Sequence, residues 1–200
     1  MAHLTFSHAP MGGGKSLAAL VRHHHVGARG MTGMLIVMQP REQGMVASRL
    51  GVSAPAEVID GDTDLWEMIS AAVREDGVKH VVADEAHFFA PEQIEQLARI
   101  ADELDVTVEA FGLLTDFRTR LFPSSARLVE LADRLVTLPT GPLCACGEIA
   151  TLNARLVDGV MVTDGDQVLV GDVTGDRVRY EPVCRSCHVA VGATAATPAR

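Results

Sequence analysis

Basic residues are scarce in this chain, aromatic ones scarcer, and cysteine is missing from its first 143 positions. Lysine and arginine total 17 against 26 aspartates and glutamates, a formal net charge of -9. A general nucleic-acid binder needs a basic face for the phosphate backbone, so that class is set aside and no nucleic-acid partner is expected. No apolar run approaches the length that crosses a bilayer, and the N-terminus enters a strand pattern at once. No membrane partner is expected, and a cytoplasmic protein is the default. No internal repeat is visible. Aromatics make up only 4% of residues, so the grouping of Phe88, Phe89, Phe111, Phe117 and Phe122 in motif-rich stretches stands out.

What is present fits a globular chain. With 200 residues, 48% of them hydrophobic and 22% charged, the sequence can bury one α/β core and carry a small appendage. Short apolar runs, read as strands, are Leu4–Ser7, Met34–Met38, Val81–Ala83, Val106–Leu113 and Leu135–Leu138. Helical patterns lie between them at Ser16–Arg29, Leu65–Arg74, Pro91–Leu104 and Ser125–Ala132. In the third helix Ile94, Leu97, Ala98, Ala101 and Leu104 recur at helical spacing, and Pro91 suits a first helical position. Alternating strands and helices imply a parallel sheet covered on both faces. From Glu148 the pattern changes to short β-like pieces broken by glycine and aspartate. The expected organisation is an α/β domain over 1–140, a small β domain over 141–190 and a disordered tail over 191–200.

The stretch SHAPMGGGKSLAAL, Ser7 to Leu20, follows a strand and opens a helix. It nearly matches the phosphate-loop pattern G-x-x-x-x-G-K-[ST], with Ala9 at the first glycine position. Gly12, Gly13 and Gly14 let main-chain N–H groups converge as an anion nest beside a helix N-terminus. Lys15 is placed to reach the β- and γ-phosphates and Ser16 to offer its hydroxyl to Mg²⁺. Ala9 costs little provided its φ is negative. Further on, KHVVADEAHFF puts Asp84 and Glu85 where an apolar strand stops, the end that faces the ligand crevice in such sheets. Asp84 fits the metal-holding carboxylate, and Glu85 is a candidate base or water-positioning group.

The four cysteines form two tight pairs, Cys144/Cys146 and Cys184/Cys187. Such pairing without a secretory context favours a closed tetrahedral four-thiolate zinc site over disulfides, with free buried thiols, or His188 replacing one thiolate, as the alternatives. The metal is then structural and contributes to folding. The triple histidine at His23, His24 and His25 is read as a solvated helix end, because consecutive helical residues cannot chelate one ion together.

Taken together, these pieces resemble the zinc-containing bacterial and cellular (type II) thymidine kinases. The matches are APMGGGKS, DEAHFF, GLLTDFRTRLFPSS, LADRLVTL, CACG, ARLVDG and YEPVCRSC, in family order from about residue 4 to 188. The resemblance implies a phosphate-loop (RecA-like) α/β fold with a small zinc-bound β domain carrying a nucleoside lasso. It implies ATP-dependent phosphorylation of the thymidine 5′-hydroxyl to dTMP, with Mg²⁺ and a structural Zn²⁺. It places ATP at Ala9, Pro10, Met11, Gly12, Gly13, Gly14, Lys15 and Ser16, and at Asp84, Glu85, Ala86 and His87. Ser16 and Asp84 would hold magnesium, Glu85 would be the base and Lys15 the main cation, with Arg118, Arg120 and Arg155 open as further cations. The nucleoside would meet Met11, Phe88, Leu113, Phe117, Phe122 and Tyr180, plus a lasso glycine that is Gly171 or Gly175 according to register. A homotetramer and feedback inhibition by dTTP are implied as well. Three departures are His87 in place of the usual glutamine, Leu114 in place of a commonly polar residue and LNAR in place of R-T-Q-R.

Two other classes share some of these features. A small phosphate-loop ATPase switch, with the zinc module binding a protein or nucleic acid, does not need Glu85, the Thr-Asp-Phe-Arg segment and Tyr180 together. The letters Asp-Glu-Ala-His at 84–87 also occur in helicases, but those require a second motor domain.

Overall fold

A computed structural model describes residues 2–39, 44–139, 141–167 and 177–195. The α/β part runs β1 (Leu4–His8), α1 (Lys15–Ala28), β2 (Gly33–Met38), β3 (Met45–Ala47), β4 (Ser53–Pro55) and β5 (Glu57–Ile59). It continues through α2 (Leu65–Asp76), β6 (His80–Asp84), α3 (Pro91–Leu104), β7 (Thr107–Gly112), α4 (Pro123–Leu131) and β8 (Arg134–Thr137). Among the described residues the main sheet has six strands in the order β5-β2-β6-β7-β1-β8, and every pairing in it is parallel. Each strand and helix read from the sequence in this region is present within a few residues of its expected bounds.

Local chemistry explains several boundaries. The Asp64 carboxylate accepts the Glu67 N–H and starts α2, and Gly77 ends it in the left-handed region at φ 69°. Pro91 and Pro123 occupy the first turns of α3 and α4, where a missing N–H costs nothing. The four inner strands, β2, β6, β7 and β1, are buried on both faces, while β8 at one edge is exposed. One face packs Leu4, Phe6, Ile36 and Val81 against Ile69, Ile94, Leu97 and Leu128 of α2, α3 and α4. The other packs Leu35, Val37, Val82 and Phe111 against Ala19 and Leu20 of α1 and Val46 of β3. Parallel strands point their carboxyl ends one way, so the turns after β1 and β6 open on the same rim, with β7 between them.

The second part is a three-stranded antiparallel sheet, β9 (Leu152–Val157), β10 (Val160–Val162) and β11 (Val178–Val183), with β9 in the centre. Helix α5 (Arg185–Ala195) follows directly. It extends past residue 190, where the sequence reading began the tail. Gly171 and Gly175 lie outside the described residues.

Candidate active site

The phosphate loop is shaped by its glycines. Gly12 and Gly14 sit at φ 77° and 79°, conformations that a Cβ would strain. At Gly13 the constraint is space: a Cβ there would come within 2.5 Å of the Ala9 Cβ and 3.0 Å of the Pro10 carbonyl oxygen. Ala9 is therefore tolerated at the family's first glycine position because Gly13 leaves its methyl room. Ala9 is also absent from the described residues with positive φ, as the sequence reading required. Lys15 is buried, and its ammonium donates to the Ala9 and Pro10 carbonyls at 3.1 Å each. That keeps the cation folded over the loop, where an incoming phosphate can replace those carbonyls.

Beside the loop lies a cavity of about 250 Å³ lined by Met11, Gly12, Gly14, Lys15, Ser16 and Glu85, together with His87, Phe88 and Leu113. Asp84 ends β6 and is buried. Glu85 follows in the left-handed region at φ 53°, uncommon for a residue with a side chain. The turn it makes starts a short 3₁₀ segment, Ala86–Phe88, and leaves the Glu85 carboxylate partly exposed in the cavity. The side chains of Ala9 and Ala86 are buried away from it, so any contact they make with a ligand comes from the backbone.

A second cavity of about 230 Å³ adjoins the first and shares Met11, His87, Phe88 and Leu113 with it. All six described residues expected around a nucleoside line it: Met11, Phe88, Leu113, Phe117, Phe122 and Tyr180. Two buried serines of α4 hold this wall. Ser124 donates to the His87 carbonyl and Ser125 to the Leu113 carbonyl, both at 2.6 Å. His87 itself sits against the Phe88 and Phe122 rings, with centroids 4.1 and 4.8 Å away, and burial followed by the nearby Lys15 charge pushes its pKa down to about 3. Its Nδ1 accepts the Leu113 N–H at 3.2 Å, so the ring is neutral with its proton on Nε2. The 3.5 Å approach of Glu85 to the same nitrogen is then not an ion pair.

The three arginines left open by the sequence are sorted by geometry. Arg118 is bonded to the Asp116 carboxylate at 2.9 Å and to the Gly165 carbonyl. Arg155 is buried, donates to the Tyr180 hydroxyl at 2.8 Å, and lies 3.7 Å above the Phe117 ring. Neither these two nor Arg120 lines the first cavity. Arg49 does, from the tip of the β3–β4 ribbon, together with Ser48 and Leu50. No sequence signal marked it, because the ribbon is two strands of three residues each. The second cavity likewise gains Gln39, Thr115, Asp116, Asn153 and Gln167, to which the sequence reading gave no individual role, although Thr115 and Asp116 fall in its Thr-Asp-Phe-Arg segment. For Asn153 a signal existed in the departure from R-T-Q-R.

The four cysteines are brought together. Their sulfurs all lie within 4.8 Å of one another, and the Cys146 and Cys184 sulfurs are 3.7 Å apart. That is far beyond a disulfide bond. A zinc tetrahedron with bonds of about 2.3 Å has edges of about 3.8 Å, so the set fits zinc. Main-chain N–H groups of Cys146 and Cys184 pull the Cys144 thiol down to about 6, while the neighbouring thiols, Cys146 first, push Cys187 up to about 12. His188 is not in the cluster, since its Nε2 donates to the Phe117 carbonyl at 2.9 Å. No helix among the described residues is long and apolar enough to cross a membrane.

Comparison with known proteins agrees with this geometry. A sequence model of the family described as "TK: Thymidine kinase" matches residues 2–188. Proteins named thymidine kinase are similar over most of their length. That of Streptomyces coelicolor is 48% identical over 192 residues, 94% of this chain and 89% of the relative. That of Cutibacterium acnes is 46% identical over 191 residues, covering 94% and 88%. The enzyme of Enterobacteria phage T4 is 38% identical over 191 residues, covering 92% and 94%.

Proposed function

The chain belongs to the thymidine kinase family, and on that premise we propose that it transfers the γ-phosphoryl group of ATP to the 5′-hydroxyl of thymidine, giving dTMP. One observation carries the reading: a phosphate-loop cavity and an aromatic cavity share a wall, and Glu85 stands in the first beside it. Phosphoryl transfer is mostly positioning and charge stabilisation, so the site needs to align two substrates in line rather than supply covalent chemistry.

In this reading the loop amides and Lys15 cradle the triphosphate. Ser16 and Asp84, hard oxygen donors at the loop and at the end of β6, would hold Mg²⁺, which neutralises developing charge on the phosphates. Glu85 accepts the proton of the 5′-hydroxyl as the oxygen attacks phosphorus, and the bond to the ADP leaving oxygen breaks. Arg49, not Arg118 or Arg155, is the additional cation at the transferring group. Thymine packs among Phe88, Phe117, Phe122 and Tyr180, with Met11 and Leu113 as apolar walls. The four cysteines would hold Zn²⁺ as a structural cross-link between the base of the small sheet and α5. Separate thiols belong in a reducing compartment, which supports the cytoplasm.

The same reading extends to feedback and assembly. dTTP combines a thymidine with a triphosphate, so a single molecule can enter both cavities. Strand β8 leaves an exposed sheet edge bearing Leu135 and Val136, a surface on which the subunits of a homotetramer can pair. The family match favours a kinase over an ATPase switch. The test is ADP formation by purified protein with Mg²⁺ and ATP, with and without thymidine and across a panel of nucleosides. Strong stimulation by thymidine is expected, and ADP formation indifferent to every nucleoside contradicts the reading.

A further inference from the structure

Asn153 lines the second cavity and reaches the first through Met11. It lies on β9, opposite Pro182 of β11, and its side chain is buried. Its Oδ1 accepts the N–H of Met11 at 2.8 Å, a bond across 142 positions of sequence that ties the small sheet to the phosphate loop. Asn153 and Met11 both line the nucleoside cavity, and Met11 also lines the phosphate cavity. Two positions on, Arg155 points to the same face of β9 and holds Tyr180 at 2.8 Å. One hydrogen bond therefore has both of its residues against the nucleoside and one of them in the phosphate loop.

Resting on the proposed function, we propose that Asn153 is a positioning residue that couples the two cavities: a nucleoside packed against Met11 and Asn153 orders their hydrogen bond and thereby fixes the phosphate loop in its nucleotide-binding form. The physical basis is shared ordering. Whichever ligand binds first bears the entropy loss of holding the Met11 segment, and the second binds a loop already held. Linkage requires the effect to be reciprocal, so bound nucleotide tightens thymidine by the same factor. Asn153 takes no part in the chemistry. Its contribution is the acceptor oxygen, which an apolar side chain of similar size cannot replace.

The test is the dissociation constant of Mg²⁺ with the β,γ-imido analogue of ATP, measured by calorimetry with and without saturating thymidine, in the full chain. The ratio of the two constants is the coupling, expected at about five-fold or more in the unaltered protein. Asn153→Val suits a strand but offers no acceptor, and it should bring the ratio close to one while the analogue alone still binds. Asn153→Asp keeps the acceptor oxygen and should keep the ratio even if its added charge weakens the analogue. A merely structural residue would shift melting temperature and both affinities and leave the ratio unchanged. Should Asn153→Val not fold, Asn153→Leu carries the same expectation, and loss of the ratio in Asn153→Asp already overturns the proposal. A ratio of one in the unaltered protein, or a preserved ratio in Asn153→Val, also overturns it while leaving the kinase reading intact. Absence of any thymidine binding removes that reading instead, and the coupling with it.

Discussion

At His87 the sequence shows an ionisable side chain where the family carries a glutamine, and the fold makes the two chemically alike. Its Nδ1 takes the Leu113 N–H, as an amide oxygen would, and burial, with Lys15 nearby, keeps the ring neutral down to about pH 3. The unfolded chain binds that proton near the ordinary value of 6.5. Between those limits the unfolded state holds more protons, so stability is complete above 6.5 and is lost as pH falls toward 3. Buried His80, pushed down to about 4 by burial and then by Arg22, acts in the same direction. The urea midpoint should therefore drop between pH 7 and pH 4.5. In His87→Gln, whose amide oxygen can accept the same N–H, that drop should be smaller; an equal drop in both proteins argues that His87 is not held neutral. Single residues were otherwise well legible. The loop glycines, Lys15, Glu85 and the cysteines stand out through type and spacing, and the structure gathers the first three at one cavity and the cysteines in one cluster. The alanine at position 9 needed the structure, because its tolerance depends on the space left by Gly13.

Among elements, length decided what could be read. Helix α3 shows its apolar stripe over 14 residues, and the buried strands β2 and β6 carry short unbroken apolar runs. The β3–β4 ribbon has only three residues on each side, too few for alternation to register. It exists because Val46 is buried against α1 and the sheet, and because Ser48 bonds to Val52 through main chain and side chain. Those contacts hold Arg49 at the phosphate cavity. Arg49 is itself exposed, so Arg49→Ala should leave the melting temperature nearly unchanged. Loss of a cation at the transferring group should lower kcat at least about ten-fold with little change in the thymidine KM. Unchanged kcat would assign the ribbon a role other than charge stabilisation. Helix α5 went unread altogether, because the cysteine pair masks its start and the valine, glycine and alanine at its end resemble a tail, while its first turn is anchored by the cysteines and by the bond from His188 to Phe117.

Across the molecule, the site is assembled from the loop after β1, the tip of the β3–β4 ribbon, the end of β6, the segment after β7 and two strands of the small sheet. Motif order along the chain pointed to these pieces, but their convergence is a property of the parallel sheet, which turns all its carboxyl ends to one rim. Long-range polar bonds then join the two parts: Met11 to Asn153, Gln167 to Asp116, and His188 to Phe117. None of these pairs carries a spacing rule, so none could be read in advance. What the convergence achieves is a carboxylate beside the wall between the phosphate-loop cavity and the aromatic cavity. The most direct measurement is steady-state turnover of Glu85→Gln with ATP, Mg²⁺ and thymidine, alongside its affinity for the ATP analogue. Turnover is predicted to fall by about 100-fold or more, the usual contribution of a positioned base, with analogue affinity preserved. Turnover within a few-fold of the unaltered protein would contradict it.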